Sequence, residues 1–151
     1  MSDTDRIEKE IVLKAPRARV WRALTDVAEF NQWFGVEMKD AFVPGRRLLG
    51  RVTHPGYEHL VMDVVVERVE AESLLSFRWH PGATQAGDDH PDEQRTLVVF
   101  ELSDAPGGTR VRVVESGFDR LPASRRAQAF RENTEGWEGQ MDNIRKHVET
   151  A

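Results

Sequence analysis

ASRRAQAFRENTEGWEGQMDNIRKHV, residues Ala123–Val148, is the stretch on which the fold turns. Phe130, Thr134, Trp137, Met141, Ile144 and Val148 recur at spacings of 4, 3, 4, 3 and 4, which draws one apolar stripe down a helix. Arg131, Glu135, Glu138, Asp142, Arg145 and Glu149 take the opposite side. At 1.5 Å per residue this helix runs roughly 39 Å, about the length of a small domain. Gly136 and Gly139 flank Trp137 within it. Each costs about 1 kcal/mol against alanine, so the pattern predicts either a kink with two shorter helices or a close backbone approach to whatever the helix covers.

What it covers lies upstream. Pro44-Gly45, Pro55-Gly56, Pro81-Gly82 and Pro106-Gly107 punctuate runs rich in β-branched and aromatic residues. These predict strands over 47–54, 58–69, 74–80, 95–102 and 109–115, with a weaker one over 36–42. Alternation sorts their faces. Leu48, Gly50, Val52 and His54 share one face, as do Leu60, Met62, Val64 and Val66. Leu75, Phe77 and Trp79 oppose Ser76, Arg78 and His80; Val98, Phe100 and Leu102 oppose Glu101. Val111 and Val113 oppose Arg110 and Arg112, and Glu115 falls on the apolar side. A three-residue loop Pro55-Gly56-Tyr57, pairing His54 with Glu58, keeps all apolar sets on one face, whereas a two-residue loop would split them. Residues 81–93 read as a long polar loop.

Before these strands, residues 1–5 are expected to be disordered, and 6–14 reads as a first strand with Ile7, Ile11 and Leu13 on one face. Lys9 breaks that face, which suggests an edge position. Pro16 suits the first position of a helix carrying Val20, Trp21 and Leu24, with Trp21 read as core. Asp26 with Glu29 forms a capping-box pattern for a second short helix with Val27, Phe30, Trp33 and Phe34, ending at Gly35. The prediction is a single α+β domain over 1–151. A curved antiparallel sheet of about six or seven strands has two short helices after strand 1 and a long C-terminal helix packed across it.

Composition limits the functions. The chain has 151 residues, 39% hydrophobic and 31% charged, a net charge of −5 and a sequence pI of about 5.6, which argues against nucleic acid as a partner. With no cysteine there is no disulfide, thiolate nucleophile or Cys-ligated metal. The first ten residues, MSDTDRIEKE, carry no apolar signal core, and no run reaches membrane-spanning length, so a cytoplasmic protein without a membrane partner is expected. Asp88, Asp89, His90, Asp92 and Glu93 lack the register of a calcium loop and read as a solvated acidic loop, so neither metal nor cofactor is expected.

Landmarks in this order resemble a known family: Val20-Trp21-Arg22-Ala23-Leu24-Thr25, Trp33-Phe34-Gly35, Phe42-Val43-Pro44-Gly45, Phe77-Arg78-Trp79, Val114-Glu115-Ser116-Gly117-Phe118 and Gly136-Trp137. They span nearly the whole chain and are similar to the Aha-type homologues, named for the activator of heat-shock protein 90 ATPase, within the START-like (SRPBCC) helix-grip superfamily. The resemblance implies the helix-grip fold but no one activity, because relatives include lipid carriers, polyketide cyclases and hormone receptors. It also implies that the chaperone activator carries a further N-terminal domain. Since this chain starts directly at its first strand, a chaperone partner is not expected.

The interior so predicted suggests a cavity for a small apolar or aromatic molecule, walled by Trp33, Phe77, Trp79, Phe100, Trp137 and Met141, with Glu115 as polar anchor and His54 and Glu58 at its rim. An interior carboxylate needs donors; Glu115 therefore suits a ligand hydrogen bond or a general base, or else a structural bond to a backbone N–H or an arginine. A second reading is a cyclase- or hydrolase-type enzyme using Glu115 or a His54–Glu58 pair for proton transfer, although no catalytic nucleophile is in evidence. Both rim residues also suit an exposed hairpin end, which is the preferred reading of the pair. A third reading is a chaperone-linked or regulatory interaction protein. Exposed sheet edges invite pairing, so a homodimer is a further expectation.

Overall fold

The computed structural model describes residues 5–79, 84–85, 95–121 and 123–149. Chain order is β1 (Arg6–Leu13), α1 (Arg17–Thr25), α2 (Val27–Phe34), β2 (Val36–Met38), β3 (Arg47–Val52), β4 (Leu60–Glu70), β5 (Leu74–Trp79), β6 (Thr84–Gln85), β7 (Thr96–Ala105), β8 (Gly108–Ser116) and α3 (Ala123–Glu149). All strand pairs are antiparallel, in the order β1-β8-β7-β5-β4-β3-β2, with β6 pairing β4 to one side of that path. The fold is the α+β helix-grip predicted from the sequence.

Most departures from the sequence reading are local. The weak strand over 36–42 is three residues long, and Thr84–Gln85, expected inside a loop, pairs with Leu60 and Val61. His80 and the acidic residues Asp88 to Glu93 lie outside the described residues. Register answers the turn question: Leu48 faces Val64 and Gly50 faces Met62, as the three-residue loop requires. The ladder nevertheless ends at Arg51 and Val61, so His54 and Glu58 lie beyond the sheet, exposed. Gly50 is needed where it stands, because a Cβ there would come within 2.4 Å of the Met38 side chain.

The helical notch follows its caps. Asp26 accepts from Glu29 N at 3.2 Å, and Gly35 ends α2 in the left-handed region at φ 85°. Only half of the capping box forms. Asp26 N–H bonds Arg22 O, which frees the Glu29 carboxylate to bind Arg19 (2.7 Å), Arg22 (2.8 Å) and His147 of α3 (2.9 Å). Trp21 is half-buried against the core rather than within it.

The stripe of α3 is buried at Trp137, Met141, Ile144 and Val148. The helix runs 27 residues without a break, so it does not divide into two at the glycines. Nor do Gly136 and Gly139 mark a close approach: both are exposed, and a Cβ on either would meet nothing within 4 Å. Lys9 is also explained. β1 is an edge strand lying under α3, and the Lys9 ammonium meets Glu138 of that helix at 2.8 Å. Packing of α3 against β1, α1 and α2 leaves the sheet half formed by β2 to β5 less covered.

Candidate functional site

That less covered half holds a cavity of about 430 Å³. One wall is the end of the notch, with Phe34, Gly35 and Val36; the sheet side is Val52, Leu60, Met62 and Trp79. Asn133, Gly136, Trp137 and Gln140 form the α3 side, and His54 and Tyr57 stand at the open end. The volume suits a small organic ligand, and the lining is apolar with few polar groups, as such sites usually are.

Trp79 and Trp137 form its floor. Their rings stack at 5.6 Å with 28° between planes, and Phe34 leans on both at 6.0 and 6.2 Å. Both indole N–H groups point away from the cavity, onto Glu115: Trp79 Nε1 donates to Oε2 and Trp137 Nε1 to Oε1, each at 2.8 Å. Thr96 Oγ1 (2.5 Å) and Asn133 Nδ2 (2.9 and 3.1 Å) donate to the same carboxylate. Glu115 is fully buried, so neutral donors from β5, β7 and α3 replace its water. The arrangement fixes both indole planes and ties the helix to the sheet.

The predicted site residues therefore divide. Trp79, Trp137 and His54 meet at the cavity. Phe77 and Phe100 are fully buried and Met141 nearly so, none of them lining it; Phe77 supports Trp79 at 5.5 Å, and Phe100 supports Trp137 at 5.6 Å. Trp33 is held between α1 and α2 by its bond to Ala23 O (2.8 Å), and its neighbour Phe34 takes the wall position instead. Glu115 lies beneath the floor. Glu58 accepts from Gly56 N at 2.8 Å within the turn, and no hydrogen bond joins it to His54, whose ring lies 5.5 Å from that of Tyr57. Sequence reasoning missed Asn133 and Gln140, although Asn133 stands one helical turn before Trp137 and Gln140 one turn after Gly136. It also passed over Phe34 in favour of Trp33. Among the described residues, no cluster of histidine or acidic side chains could hold a metal ion, and no helix is long and apolar enough to cross a membrane.

The family model for Activator of Hsp90 ATPase homolog 1-like protein matches residues 14–149. The chain belongs to this family. Solved structures of similar shape include a Mesorhizobium loti protein, 23% identical, covering 97% of this chain and 98% of its own, at a TM-score of 0.77. The Aha1 dimer from Colwellia psychrerythraea is 17% identical over 95% of each chain, at a TM-score of 0.72. DynU16, a protein of the dynemicin biosynthetic locus, is 26% identical with a TM-score of 0.74. This chain spans 48% of that one's length. None of the curated proteins matches the sequence. In this Activator of Hsp90 ATPase homolog 1-like domain, the family landmarks Phe77-Arg78-Trp79, Val114-Glu115-Ser116 and Gly136-Trp137 converge on one carboxylate and the tryptophan floor above it.

Proposed function

We propose that the domain binds a small hydrophobic or aromatic molecule in the cavity between the sheet and the C-terminal helix. The observation that carries this reading is the cavity of about 430 Å³ floored by two stacked tryptophans whose polar edges are committed elsewhere. A rigid aromatic floor stabilises a flat guest without first paying to order its own side chains. Burial of ligand surface at about 25 cal/mol per Å² supplies the affinity. A binding role is favoured over proton transfer because Glu115 is enclosed by donors and His54 and Glu58 stand apart in an exposed turn.

Titration with N-phenyl-1-naphthylamine, a neutral fluorophore that brightens in apolar surroundings, tests it. Saturable binding at one molecule per chain is expected, abolished by Gly136→Phe, which places a ring at the cavity from a position with open space around its Cβ. Binding that Gly136→Phe leaves untouched would place the fluorophore elsewhere and refute the reading. For a second copy as partner, the support is the Colwellia neighbour, described as a dimer, and the two edge strands β1 and β2.

A further inference from the structure

Resting on that binding reading, the inner polar groups of the cavity point to the class of guest. Gln140 is held at both ends of its amide, with one N–H to spare: its Nε2 donates to Phe34 O and its Oε1 accepts from Asn143 Nδ2, each at 3.0 Å. The two indole N–H groups are turned beneath the floor. Asn133 differs. Its amide meets a carboxylate whose oxygens already accept two indole N–H groups, so the side facing Glu115 must be the donor, Nδ2, and the planar amide turns Oδ1 the other way. Among the described residues no donor reaches Asn133 Oδ1, and this half-buried residue lines the cavity. Asn133 thus brings to the cavity lining an acceptor that no described donor answers, with the Glu115 carboxylate on the other side of the same amide.

We propose that Asn133 Oδ1 sets the specificity of the cavity, which takes neutral aromatic molecules carrying a hydroxyl or N–H donor and rejects carboxylates of the same shape. A donor on the guest completes the one unanswered hydrogen bond. An anion has only lone pairs to offer this acceptor, and no lysine or arginine lines the cavity to offset its charge.

Three probes of one shape provide the test: 2-naphthol, naphthalene and 2-naphthoate, titrated calorimetrically into the intact chain. In the wild type, 2-naphthol should bind about three- to tenfold more tightly than naphthalene, the value of one hydrogen bond. 2-Naphthoate should bind at least about tenfold more weakly than 2-naphthol. In Asn133→Leu the ratio of naphthol to naphthalene affinity should collapse to about onefold, whatever the change in absolute affinity. The wild-type ranking stands without the variant, so it decides the matter even if Asn133→Leu does not fold. Equal or tighter binding of 2-naphthoate, or a naphthol advantage that survives in a folded Asn133→Leu, overturns the assignment while leaving the binding reading intact. Failure of all three probes to bind overturns both.

Discussion

Glu115 holds four donors from three elements, and removing it should cost more than any change at the rim. Glu115→Ala leaves two indole N–H groups and a hydroxyl buried without an acceptor and strips a half-buried amide of its partner. We expect a loss of about 3–5 kcal/mol, read as a lower urea midpoint at unchanged slope. A loss below about 1 kcal/mol would mean that the carboxylate is not the tie between helix and sheet. His54→Ala, in contrast, should move stability by less than about 0.5 kcal/mol, because its side chain is exposed outside the ladder. The inward direction of Glu115 was legible from strand parity alone. Its donors were not: they arrive from β5, β7 and α3, and parity within one strand says nothing about what faces it across 18 or 36 residues of chain.

For α3, the stripe from Phe130 to Val148 defined the helix to within one residue of its observed C-terminal end, because an unbroken 3.6-residue period leaves little alternative. The glycines were the misleading feature. Gly139 is exposed and touches nothing, so Gly139→Ala should raise stability by about 0.5–1 kcal/mol; a decrease in the denaturant midpoint would reveal a constraint at that position. The short α2 was equally legible from Asp26 and Gly35, and Asp26→Ala should cost about 1 kcal/mol by the same measurement. Which residue of Trp33-Phe34 faces the cavity was not legible, since both lie on the apolar side of a helix only 8 residues long and the choice rests on how α1 packs beneath it.

Considered as one body, the grip is tied at its margins by ion pairs whose carboxylates titrate low. Burial pushes the Asp63 carboxyl up, but the guanidinium groups of Arg47 and Arg95 outweigh it and hold Asp63 below its ordinary range. Burial likewise raises Glu29, and its bonds to His147, Arg19 and Arg22 prevail and lower it. Because both carboxyls are depressed in the folded state, the unfolded chain takes up protons first. Their stabilisation is therefore complete above about pH 4.5, the ordinary carboxylate range, and is lost as pH falls through the lower folded values. The urea midpoint should drop on acidification below that point, and less steeply in Asp63→Asn; an unchanged acid limb in that variant would remove Asp63 from the account. The cavity itself was legible only in outline. Sequence gave a helix over a sheet, but the gap arises because α3 packs towards β1 and leaves the β2 to β5 half open, which depends on the path of the whole helix. The central claim is that a guest sits on the Trp79–Trp137 floor, and the chain's four tryptophans give four indole N–H signals by which nuclear magnetic resonance can follow it. On titration with 2-naphthol, the signals of Trp79 and Trp137 should shift together and saturate while that of Trp21 stays in place; a shift at Trp21 with the floor pair unmoved would contradict it.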